Sequence, residues 1–212
     1  MIVAVAHNKG GVGKTTTVVQ LAGELKPEII IDLDAHQGIA IINGRRPAEL
    51  RWDVRAGLDK AALIKLLKAA GERLVLIDCG GFDSELVRIA IAAADLIIAP
   101  SNDDITEQIG LVRFNRVLSE ISQATGETIQ AHVLITRTNP NRKNFSAISD
   151  ELAGLPHLTM MTSKLSRRAD WANQMESGLG VTERAATRSS AAGIEAKALA
   201  EEVRSRLALL AY

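Results

Sequence analysis

At 212 residues the chain has the length of one large domain, able to bury most of its apolar surface without disulfide or metal staples. Apolar residues make up 47% and charged residues 24%, and the formal net charge is zero, which excludes bulk electrostatics as a route to nucleic acid or membrane and leaves only a local patch. The lone Cys79 excludes an internal disulfide framework and an iron–sulfur site built from several cysteines of the chain, and it fits a cytoplasmic protein.

His7, His36, His132 and His157 are scattered without ligand spacing, so no structural zinc is expected. No apolar run approaches the ~18–20 residues that span a bilayer. With a strand expected from residue 2, no cleaved leader and no preceding DNA-reading domain are expected.

In chain order, residues 2–6 are a buried strand. The loop Lys9-Gly10-Gly11-Val12-Gly13-Lys14-Thr15-Thr16 follows, then a helix over 17–25 that Lys26-Pro27 stops. Residues 28–34 form a second strand ending in carboxylates. The stretch 35–59 holds Asn43-Gly44, Arg45-Arg46-Pro47 and Trp52 and reads as loop with short helical pieces. A helix over 60–70 and a strand over 73–78 come next.

Further on, a helix over 84–93 leads to a strand over 95–100 and a long helix over 105–124. A strand over 129–136, a helix over 144–153 and a short strand over 158–162 follow. Helices over 168–176 and 190–210 complete the series. Continuous apolar strands alternating with helices predict a three-layer α/β sandwich, Rossmann-like, with a mostly parallel sheet flanked by helices. The whole of 1–212 reads as one such domain of the P-loop NTPase kind.

Ligands in such sheets bind beyond the carboxyl ends of the strands. The glycine loop, Asp32 and Asp34, and Asp78 all fall there. Glycines let successive backbone N–H groups converge on one anion, and the following helix adds its positive end. Lys14 supplies a charge for β- and γ-phosphates, and the Thr15 hydroxyl is placed to ligate magnesium. Asp78 ends an apolar strand, the usual position of a carboxylate that holds magnesium directly or through water. Asp32 and Asp34, two apart, would share one face of the sheet and address one metal-bound water network.

The plain phosphate-loop pattern wants glycine at position 8, where the chain has Asn8, and a second lysine, Lys9, opens the loop. This loop resembles the deviant Walker A box of the ParA/MinD superfamily of ATPases, and Asp32-Leu33-Asp34 and Asp78 fall where that superfamily has its further acidic motifs. Residues 131–137 and Gly178-Leu179-Gly180-Val181-Thr182-Glu183 also resemble stretches of the small, ParF-like partition ATPases.

The resemblance implies ATP and Mg2+ as cofactors, bound through Gly10, Gly11, Val12, Gly13, Lys14, Thr15 and Thr16. Lys9 would reach across a nucleotide-sandwich homodimer to the partner's phosphates, as an arginine finger does. Lys14 would hold phosphates in its own subunit, and Asp34 would orient the attacking water. Thr15, Asp32 and Asp78 would support magnesium, and Arg137 would lie near the adenine. Two departures stand out: Ala35-His36-Gln37 replaces the Pro-Gln usual after the second acidic residue, and Cys79-Gly80-Gly81 replaces a common Pro-Pro. Both leave nucleotide binding intact and bear on hydrolysis rate.

The resemblance further implies an ATPase that is slow and partner-stimulated, dimerises on ATP, binds DNA non-specifically and positions plasmid or mobile DNA with a separate centromere- or site-binding adaptor. Its location would be the nucleoid. The alternatives are a MinD-type membrane-associated positioning ATPase and a nucleotide-gated scaffold with weak hydrolysis. Candidate DNA-contacting residues are Arg142, Lys143, Lys164, Arg167, Arg168, Arg184, Arg188, Lys197, Arg204 and Arg206. Leu199, Val203, Leu207 and Leu210 form a stripe on the last helix that reads as core packing rather than a membrane anchor.

Overall fold

Gly13, at φ 99°, caps the first helix in a left-handed conformation, so that helix begins inside the loop, at Lys14. The computed structural model describes residues 1–210, with 105–108 described by their backbone only. The strands are β1 (Ile2–Val5), β2 (Ile29–Asp32), β3 (Val54–Ala56), β4 (Val75–Asp78), β5 (Leu96–Ser101), β6 (Ala131–Thr138) and β7 (Leu158–Ser166). The helices are α1 (Lys14–Leu25), α2 (Gly38–Arg45), α3 (Lys60–Lys68), α4 (Glu85–Ala92), α5 (Ile105–Thr125), α6 (Ser146–Leu152), α7 (Gln174–Ser177) and α8 (Ala191–Leu210).

The seven strands form one sheet in the order β3-β2-β4-β1-β5-β6-β7, and every neighbouring pair is parallel. This is the expected three-layer α/β sandwich. Alternate residues of each strand feed two cores. Ile2, Ala4, Ile31, Val75 and Ile77 pack against Leu63, Val87, Ile91, Phe114 and Leu118 of α3, α4 and α5. Val3, Val5, Ile30, Leu76 and Ile98 pack against Val18, Leu21, Ile39, Ile42, Leu199, Val203 and Leu207 of α1, α2 and α8. The stripe on the last helix is therefore core for Leu199, Val203 and Leu207, whereas Leu210 is exposed.

Caps fix several helix starts. Asp59 accepts from the Ala62 amide at 2.8 Å ahead of α3, and Ser84 accepts from the Val87 amide ahead of α4. Lys26 ends α1 in the left-handed region at φ 51°, immediately before Pro27.

Three expectations change. The stretch 35–59 contains α2 and an edge strand, β3, that pairs with β2. β7 runs to Ser166 rather than stopping at residue 162, because a register shift in its pairing with β6 lets the ladder resume at Ile135↔Lys164. The helix expected over 168–176 is a 3-10 turn, Ala169–Asn173, running into the short α7. Among the described residues, no helix is long and apolar enough to cross a membrane.

The chain leaves β1 toward β2 and leaves β4 toward β5, so the crossovers diverge between these two adjacent strands. Such a divergence opens a crevice at the strands' carboxyl ends. The glycine loop follows β1 and Asp78 ends β4, so both stand at its mouth.

Candidate functional site

The loop turns on Gly11 and Gly13, at φ 78° and 99°, conformations that residues with a Cβ rarely adopt. Val12 is buried, and its carbonyl accepts from the buried Thr136 hydroxyl at 2.8 Å. Lys14 opens α1 and folds back so that Nζ donates to the Lys9 carbonyl at 2.8 Å. Burial pushes the Lys14 ammonium below its ordinary pKa, while the Asp78 and Asp34 carboxylates pull it up. A desolvated cation at the N-terminus of a helix is a ready anion site. Lys9 is half-buried, and its side chain runs beside Gly110 of α5.

Asp32 and Asp78 are direct neighbours across the β2–β4 pair. The Thr15 hydroxyl donates to Asp78 Oδ2 at 2.7 Å. Asp78 Oδ1 is buried without a partner. Burial raises the Asp78 carboxyl to about 7, with the Thr15 hydrogen bond acting against it. An orphaned carboxylate oxygen beside a threonine hydroxyl is a set of hard oxygen donors, the chemistry that suits magnesium. Thr15 and Asp78 fit the metal, and Asp32 stands behind them. Asp32 Oδ1 accepts from the Asp34 amide at 3.1 Å and Oδ2 from the Ala40 amide at 3.1 Å, so Asp32 also pins the start of α2.

Asp34 lies beyond the end of β2, so its position comes from the turn rather than from strand alternation. Its Oδ1 accepts from the His36 amide at 2.8 Å. The glycines after Asp78 have a packing role. A Cβ on Gly80 would meet the Leu33 carbonyl at 3.2 Å, and one on Gly81 would meet Gly10 Cα at 3.4 Å and Lys14 Nζ at 3.8 Å. The segment after β4 thus touches both the segment after β2 and the glycine loop.

Beside the loop lies a cavity of about 640 Å³, lined by Gly13, Thr15 and Thr16 together with Leu165, Trp171 and Met175. This volume suits a nucleotide, and the indole and thioether suit a flat base. Arg137 lines it as well. The β6–β7 register shifts between Thr136 and Thr138, which leaves Arg137 at φ 55°. Its Nη1 lies 4.0 Å from where a Gly11 Cβ would be, so the guanidinium sits beside the loop.

All of Lys9, Gly10, Gly11, Val12, Gly13, Lys14, Thr15, Thr16, Asp32, Asp34, Asp78 and Arg137 therefore gather at one rim. Sequence reasoning missed Thr136, Trp171 and Gln174. It also missed Arg46 and Glu183, an ion pair at 2.5 Å between the buried Arg46 and the partly buried Glu183 that ties the end of α2 to the 178–183 loop. Gln20 carried a usable signal: it is a polar residue in an otherwise apolar run of α1, and it is fully buried.

Comparison with known proteins gives the same picture. The family model described as VirC1 protein matches residues 1–209. Protein ParA of Rhizobium radiobacter is 26% identical over 145 residues, covering 66% of this chain and 65% of that protein. Maintenance of carboxysome distribution protein A of Gloeobacter kilaueensis is 33% identical over 104 residues, covering 47% of this chain and 48% of that protein. The chain thus spans about two thirds and about half the length of these curated relatives. An ATP complex of Cyanothece McdA shares the fold at a TM-score of 0.74, over 95% of both chains, with 15% sequence identity.

Proposed function

The chain belongs to the VirC1 protein family, within the ParA/MinD superfamily of ATPases, and from that premise we propose that it is an ATP-driven DNA-positioning ATPase of the partition type. In this reading ATP brings two copies together, the dimer holds DNA non-specifically, and an adaptor protein stimulates slow hydrolysis that releases it. The observation that carries the reading is the two-lysine loop: Lys14 is buried at the anion site and Lys9 lies at its edge.

The loop N–H groups and the start of α1 bind the phosphates. Lys14 exchanges the Lys9 carbonyl for a phosphate oxygen, and Lys9 reaches a second copy. Thr15 and Asp78 would hold magnesium, with Asp32 behind them, and the ion would supply neutralisation of charge on the phosphates. Asp34 orients the attacking water.

The basic residues divide in a way that narrows the DNA surface. Arg142, Arg168, Arg204 and Arg206 pair with Asp103, Glu195, Glu201 and Glu202. Lys164 donates to the Arg142 carbonyl at 2.6 Å. Lys143, Arg167 and Lys197 are exposed, and they are the residues we assign to phosphate contacts. The burial of Leu199, Val203 and Leu207 in the core argues against a MinD-type membrane helix.

Retention on non-specific duplex DNA, measured with and without ATP across a salt series, tests the reading. The expected result is ATP-dependent retention that falls steeply with salt. No retention at low salt contradicts it.

A further inference from the structure

Two glutamines lie in the interior, where the mechanism above makes no use of them. Gln20 is fully buried in α1, and Gln174 of α7 is 6% exposed. They link three separate segments in one line. The Val181 amide donates to Gln20 Oε1 at 2.8 Å. Gln20 Nε2 donates to Gln174 Oε1 at 2.9 Å. Gln174 Nε2 donates to the Thr16 hydroxyl oxygen at 3.0 Å.

The direction of this line is fixed by chemistry. A backbone N–H can only donate, so Gln20 must turn its oxygen to Val181 and its amide nitrogen to Gln174. Gln174 must then turn its nitrogen to Thr16. The Val181 end is held firmly. Glu183 accepts from the Gly180 amide at 2.8 Å and is itself gripped by Arg46 at 2.5 Å.

Thr16 is thereby an acceptor within the protein, and its own proton is left over. A threonine in a helix commonly donates to the carbonyl four residues back. That carbonyl belongs to Val12; it accepts from the Thr136 hydroxyl at 2.8 Å and, among the described residues, takes no hydrogen bond from Thr16. Among the described residues, no acceptor takes the Thr16 proton. Thr16 and Gln174 both line the cavity beside the loop.

We propose that Gln20 and Gln174 form a polarised relay that holds the Thr16 hydroxyl as a proton donor toward the phosphate of a bound nucleotide, which makes both glutamines positioning residues for nucleotide binding. The inference rests on the nucleotide reading of the loop. An oriented donor costs nothing to align when the anion arrives, so the relay acts on affinity.

Gln20→Glu reverses the relay while keeping a hydrogen-bonding group in place. A carboxylate still accepts from Val181 but cannot donate to Gln174. Gln174 then turns its amide over, and Thr16 donates its proton to Gln174 instead of into the cavity. Gln174→Met breaks the line at the cavity edge and serves as a second variant, independent of any folding defect in the first.

The test is a double-mutant cycle by calorimetric titration of ADP with Mg2+. The proteins are wild type, Gln20→Glu, Gln174→Met, Thr16→Val, and each glutamine variant combined with Thr16→Val; urea midpoints of the nucleotide-free proteins confirm folding. Each glutamine variant is expected to weaken ADP binding about tenfold. Neither should weaken it further once Thr16 is valine. Losses that multiply in the double variants, or single variants that bind as wild type does, overturn the relay. A wild-type protein that does not bind ADP overturns the nucleotide reading and the relay together.

Discussion

His7 shows how a single side chain is set by the loop above it. Its Nδ1 accepts from the Lys9 amide at 3.1 Å, which places the ring proton on Nε2, a buried atom with no partner. The ring packs on Phe114 at 5.5 Å between centroids, and a Cβ on Gly110 would come within 3.0 Å of it. Burial, with Lys14 and then Lys9 adding repulsion, lowers its pKa from 6.5 to about 4. The unfolded chain therefore binds a proton at His7 before the folded one does. The contribution of His7 to stability should fall as pH drops from about 6.5 to about 4 and level off below, by about 3 kcal/mol in the limit. The raised Asp78 carboxyl acts in the opposite sense across all of this range, so the variant comparison isolates His7. Urea unfolding of wild type and His7→Asn across pH 4 to 7 checks this: the wild-type curve should lose more stability toward acid than the variant. Parallel curves contradict it. Nothing in the sequence marked His7 for this role, because its partners come from α5 and from the loop's own amide.

At the scale of elements, legibility followed periodicity. β1, β4, α4, α5 and α8 were plain in the sequence because their apolar residues recur without interruption and caps such as Asp59 and Ser84 mark helix starts. The stretch 35–59 was opaque because its order comes from elsewhere. Asp32 pins the start of α2, and Arg46 at its end is clamped from the far side of the chain. The Arg46 guanidinium donates to Glu183, to the Leu50 carbonyl and to the Gly178 carbonyl, and it stacks on Trp52 at 3.7 Å. Gly23 of α1 leaves room for Glu183, whose Cγ would lie 3.1 Å from a Cβ there. Read in sequence, Arg45-Arg46-Pro47 was a loop and Glu183 part of a family-like stretch; only the fold shows that they are one structure. Removing one partner strands a buried charge. Glu183→Ala should therefore cost about 3–5 kcal/mol in chemical denaturation, far more than an exposed ion pair such as Arg55–Asp53. A loss below about 1 kcal/mol would show that Arg46 is solvated or re-paired.

For the whole molecule, the loop and the carboxylates were legible because phosphate chemistry needs few residue types at fixed strand ends. The cavity wall formed by Leu165, Trp171 and Met175 was not, since it assembles from β7, the 3-10 turn and α7 far along the chain. The segments Ala35-His36-Gln37 and Cys79-Gly80-Gly81 were legible as departures but not in their consequence. Gly80 and Gly81 permit close contact with Leu33 and Gly10, so a change at the loop is felt by the segment after Asp32 through backbone contact. That arrangement suits a site whose state is read by a second copy of the chain. The account's central claim is that Lys9 completes the partner's site rather than its own. Light scattering of wild type and Lys9→Ala, with ATP and Mg2+ and then with ADP, tests it most directly. Wild type should double in mass with ATP and not with ADP, and Lys9→Ala should stay monomeric while keeping ADP affinity within about threefold of wild type. ATP-dependent dimerisation that persists in Lys9→Ala would contradict the claim.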